Sequence, residues 1–75
     1  MEENNMVISK HQYIKNWIEE NFEAGAIVNY DWHGKHAITL IDRAGDKLEI
    51  TMPERTLYVD GKPMGGIPSM ADITE

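Results

Sequence analysis

Asp31, His33 and His36 fall within six residues of one another, and a carboxylate with two imidazoles is a donor set that suits zinc or another borderline divalent ion. The strand register expected for this stretch separates them. It turns His36 inward beside Tyr30, leaves His33 at a hairpin tip and uses Asp31 to brace the turn, so no metal site is assigned. Serine hydroxyls occur only at Ser9 and Ser69, and the first is better used as a helix cap than as a nucleophile. Gly61, Gly65 and Gly66 are followed by Ile67-Pro68 and not by a helix opening on Lys-Ser or Lys-Thr, so no phosphate loop is built. The chain contains no cysteine, which removes disulfides, thiolate metal sites and a thiol nucleophile together. No cofactor motif is present, and the expected class is non-enzymatic.

Charge is more informative. Seven Lys and Arg against thirteen Asp and Glu give a net charge of -6, which disfavours nucleic acid or an anionic membrane as a partner. The stretch 26–66 is nearly balanced, with six acids and five bases, so the excess lies on the flanking stretches. Glu19, Glu20 and Glu23 are expected on the last turns of a helix, where the backbone carbonyls already carry partial negative charge. A patch that costs stability in this way suits docking on a basic surface of another protein. Trp32, expected at a hairpin tip, would add apolar area to that contact.

The elements that position these residues follow from periodicity. Ser9 three residues before Gln12 has capping-box spacing, and Tyr13, Ile14, Trp17, Ile18 and Phe22 recur on one stripe, predicting an amphipathic helix over 10–24 closed by Gly25. From Ala26 the period changes to two. Asp31-Trp32-His33-Gly34 and Asp42-Arg43-Ala44-Gly45 share the spacing of a three-residue hairpin turn, and Asp60-Gly61 suits a two-residue one. These turns set Tyr30 opposite His36, Val28 opposite Ile38, Leu40 opposite Leu48 and Ile38 opposite Ile50.

The predicted fold is α+β: one N-terminal helix on one face of an antiparallel meander of four to five strands. The expected core is Ile14, Trp17, Ile18 and Phe22 against Val28, Tyr30, Ile38, Leu40, Leu48, Ile50, Leu57 and Val59. A more strongly bent version would be a small barrel, which resembles the Sm-like type in element order alone. Residues 1–8 read as a flexible leader, 9–66 as the single domain with Gly65-Gly66 as a hinge, and 67–75 as a tail with one helical turn. The opening Met1-Glu2-Glu3 lacks the basic and apolar regions of a signal peptide, and no apolar run is long enough to span a bilayer, so a cytoplasmic location is expected.

One helix leaves one sheet face uncovered. There the alternation collects Ile27, Ala37, Thr39, Ile41 and Tyr58 among polar residues, a surface suited to a second copy or a foreign protein. Glu19, Glu20, Glu23, Trp32, Ile27, Ile41 and Tyr58 are therefore the expected partner-binding residues. In size, acidity and lack of catalytic groups the chain resembles, at the level of class, small phage or mobile-element proteins that act as inhibitors or adaptors. A homodimer is one form this module could take; the alternatives are a single-stranded nucleic-acid binder that stacks bases on Tyr58 and Trp32, and a small-ligand binder with a pocket completed in an oligomer.

Overall fold

A computed structural model describes residues 7–74. Its elements in chain order are β1 (Val7–Ser9), α1 (Lys10–Asn21), β2 (Ile27–Trp32), β3 (Ala37–Asp42), β4 (Lys47–Thr51), β5 (Thr56–Val59), β6 (Lys62–Gly66) and β7 (Asp72–Thr74). Strands β2 to β6 form an antiparallel meander in sequence order, and α1 packs on it, so the fold is α+β. The sheet stays open, with β2 and β6 at its edges, and does not close into a barrel. No helix among the described residues is long and apolar enough to cross a membrane.

The helix starts where its cap dictates. Ser9 has extended dihedrals, and its hydroxyl oxygen accepts the Gln12 N–H at 3.2 Å, satisfying one of the orphan donors of the first turn. Ile14 and Ile18 enter the core, with Trp17 and Phe22 packed half-buried at its margin. The helix ends at Asn21, three residues before the expected Ala24. Phe22 turns to extended dihedrals while its N–H still reaches the Ile18 carbonyl at 3.0 Å, and Asn21 Nδ2 donates back to the Trp17 carbonyl. Gly25, at φ 85°, serves a separate turn in which the Ala26 N–H donates to Glu23.

The second hairpin matches expectation. Asp42 Oδ1 accepts the N–H groups of Ala44 and Asp46, each at 2.9 Å, and Gly45 takes the left-handed position at φ 88°. Ile38 therefore faces Ile50 and Leu40 faces Leu48. The first hairpin departs from expectation. Asp31 remains in the ladder opposite Thr39, and the chain reverses two residues later, closed by His33 N–H donating to the Ala37 carbonyl at 2.8 Å. Tyr30 consequently faces Leu40 rather than His36, and Trp32 faces Ile38.

That shift preserves the side that Tyr30 occupies and brings Trp32 into the ladder on the same side. A bulge between Ile27 and Asn29 then reverses the phase of the strand's beginning. Ile27, expected on the open face, is buried in the core, whereas Val28 and Tyr30, expected in the core, are 59% and 52% exposed. The core comprises Ile14, Ile18, Ile27, Ile38, Leu40, Ile50, Met52, Leu57, Ile67 and Ala71. Leu48 and Val59 are half-buried against it.

The last third of the chain is more ordered than its composition suggests. Asp60 and Gly61 both have positive φ, 52° and 86°, as a tight two-residue turn of this kind demands. Gly65-Gly66 is no hinge. Both residues belong to β6, and a Cβ on Gly66 would collide with the Arg55 carbonyl oxygen, so only glycine permits that approach. The expected terminal helical turn is replaced by β7, which pairs in parallel with β1 at Val7 with Asp72, Ile8 with Ile73 and Ser9 with Thr74. Residues 1–6 of the expected leader lie outside the described residues, while Val7 and Ile8 belong to β1.

Candidate functional site

The expected partner-binding residues divide between two surfaces. On the helix side, Glu19 and Trp32 come together. They line one hollow of about 260 Å³ with Lys15, Ile18 and Tyr30, between α1 and strand β2. Trp32 is not at the hairpin tip, because the later chain reversal keeps it in the ladder and turns it toward the helix. Its indole lies 4.2 Å from the His11 imidazole, centroid to centroid, with the planes at 43°. Half-buried, it offers one flank to the hollow.

Glu19 and Glu20 are exposed on α1, but Glu20 borders a different depression with Tyr13, Asn16 and Trp17. Glu23 is not a helical residue; it sits exposed in the turn after α1 and not on the last helical turns where it was expected. Ile27 leaves the surface altogether for the reason given by the bulge.

Ile41 and Tyr58 lie on the opposite side of the sheet. Ile41 shares a hollow of about 430 Å³ with Asp31, His33, Thr39, Lys47, Glu49 and Asp60. Cross-strand register explains the grouping, since Asp31, Thr39 and Glu49 occupy one row and Asn29, Ile41 and Lys47 the next. Tyr58 stands apart, in the row of Thr51 and Pro63. The open face is thus more acidic and less apolar than its alternation implied.

His33 Nε2 lies 2.7 Å from Thr39 Oγ1, a hydrogen bond along the sheet surface. Among the described residues no three His, Cys, Asp or Glu side chains converge as metal ligands, and no buried side-chain nitrogen or oxygen lacks a hydrogen-bond partner. The hydroxyl of Ser9 serves as the α1 cap.

Several basic side chains are engaged in holding the fold. Arg43 Nε donates to the Gly25 carbonyl at 3.0 Å, and Arg55 donates to the Pro68 carbonyl at 2.7 Å. These contacts weigh against a basic track for an oligonucleotide backbone. Lys10 is more buried still, 8% exposed, and its ammonium donates to the Pro53 carbonyl at 3.0 Å. Nothing in the sequence marks Lys10, because a lysine in the first turn of a helix ordinarily extends into water.

No protein-family model, curated protein or solved structure matches this chain. An exposed carboxylate beside half-exposed aromatic rings can combine charge attraction with apolar burial, the pairing typical of a protein contact.

Proposed function

We propose that the chain is a small non-enzymatic protein-binding module, an inhibitor or adaptor that occupies a basic surface of its partner. The observation that carries this reading is the shared hollow of Lys15, Glu19, Tyr30 and Trp32, in which exposed charged groups and aromatic area adjoin. Glu20, on a neighbouring depression of α1, and Glu23 in the turn after it add exposed carboxylates, while Asp31, Glu49 and Asp60 outnumber Lys47 on the reverse face. In such a contact the carboxylates set the encounter rate and its salt dependence, and the rings supply residence time. Among the contact residues Ile27 drops out, Tyr30 enters, and Ile41 and Tyr58 belong to a second surface.

The test is affinity capture from a cell lysate at low salt with wild-type chain and with the Glu19→Lys, Glu20→Lys double variant. Wild type should retain a partner with a basic surface, eluted by salt, and the double variant should retain none of it. Equal capture by both would refute the role given to these carboxylates.

A further inference from the structure

We propose that the outer edge of β2 is a docking strand for an extended segment of the partner in which apolar and basic residues alternate, a mode that rests on the basic-partner reading above. The first support is the backbone. His33 N–H donates to the Ala37 carbonyl, and hydrogen-bonded pairs in an antiparallel ladder alternate, so Asn29 and Asp31 direct their peptide groups to β3. The N–H and C=O groups of Tyr30 and Trp32 then project from the other edge, where β2 has no neighbouring strand among those described. The Asp42 N–H to Asp46 carbonyl bond of the next hairpin requires the same phase, since it turns Leu40 and Ile38 toward β4.

The two edges of the sheet differ in protection. Strand β6 carries Lys62 and Pro63, the residue types that discourage further pairing. Strand β2 has no Lys and no Pro, and instead leaves Val28 and Tyr30 more than half exposed. Beyond the bulge at its start, the partly apolar stretch of β2 from Tyr30 to Trp32 beside a hollow fits strand addition better than it fits a surface meant only for water.

Side-chain alternation specifies the occupant. Every second residue of an added strand would lie over the hollow of Ile18, Tyr30 and Trp32, where apolar groups fit. The intervening residues would emerge on the side of Asp31, with Glu49 and Asp60 beyond it, where three carboxylates outnumber the one ammonium of Lys47 and cationic groups fit. A second copy of this chain answers poorly to that description, because its own β2 brings another Asp31 and a net charge of -6.

The proposal is tested with the full isotope-labelled chain and four synthetic peptides: Lys-Val-Lys-Ile-Lys-Val-Lys, its Glu-for-Lys counterpart, and two forms of the lysine peptide N-methylated at alternate residues, one in each phase. The lysine peptide should slow hydrogen exchange of the Tyr30 and Trp32 amides by about tenfold or more. One methylated phase should lose this protection, and Asp31→Lys should weaken it. Binding of the lysine peptide without protection at Tyr30 and Trp32 would overturn the edge and leave the basic-partner reading standing. Equal protection by the acidic peptide would retain the edge but overturn the basic occupant. Protection in the free chain that fades on dilution would assign the edge to a second copy and overturn the proposal, as would no binding of the lysine peptide at all.

Discussion

The His11 imidazole packs against the Trp32 indole at 4.2 Å between ring centroids, joining the first turn of α1 to the last residue of β2. This contact fixes the corner of the helix-sheet interface that borders the proposed docking edge. Removing either ring should loosen both. His11→Ala is expected to cost about 1 kcal/mol, and Trp32→Ala about 2 to 3 kcal/mol because the indole is only half-buried. A double-mutant cycle by urea unfolding should show coupling. Additive effects would mean that the rings are neighbours without mutual stabilisation.

Lys10→Met retains the aliphatic stem but deletes the ammonium that donates to Pro53. A charge-assisted hydrogen bond is worth about 1.5 to 3 kcal/mol, and its loss here strands a carbonyl at the β4–β5 connection. We expect a lower urea midpoint with an unchanged slope. A stable Lys10→Met variant would show that the bond contributes nothing.

Gly45 and Gly66 should fail for different reasons. At Gly45 there is nothing within 4 Å of an added Cβ, so Gly45→Ala meets only the left-handed backbone, about 1 to 2 kcal/mol, and Gly45→Asn should recover part of it. At Gly66 the obstacle is the Arg55 carbonyl, and any side chain must push β6 away from β5. Gly66→Ala and Gly66→Asn should therefore both unfold at lower temperature, with asparagine giving no rescue in thermal melts.

Ile67 is 5% exposed and sits in the core although it follows the last strand of the meander. Ile67→Ala is expected to destabilise by about 2 to 4 kcal/mol. A flexible tail, by contrast, would tolerate the change with a shift below about 0.5 kcal/mol in denaturant unfolding.

The helix start, the second hairpin and the Asp60-Gly61 turn were legible because local chemistry and burial pattern agree there. Ser9, Asp42 and Gly61 each make the bond or adopt the dihedral that their type favours. Asp31 has the same spacing to Gly34 that Asp42 has to Gly45, yet the chain reverses later, which lets Trp32 pair with Ile38 and reach His11. Turn composition cannot reveal that gain, because the deciding contact comes from α1. The bulge at Val28 is equally hidden. It moves Ile27 inward and turns Val28 out, and so redraws the candidate surface through one extra residue. Strands β1 and β7 are three residues each and acquire meaning only through each other, across more than sixty residues of chain.

That last pairing also governs how the molecule would respond to being pulled. Because β1 and β7 run side by side in the same direction, tension between the segment preceding Val7 and the one following Thr74 slides the strands along their length. Their bonds would be sheared together and not peeled one at a time, so the clasp resists tension along the chain better than a pull across the pair would be resisted.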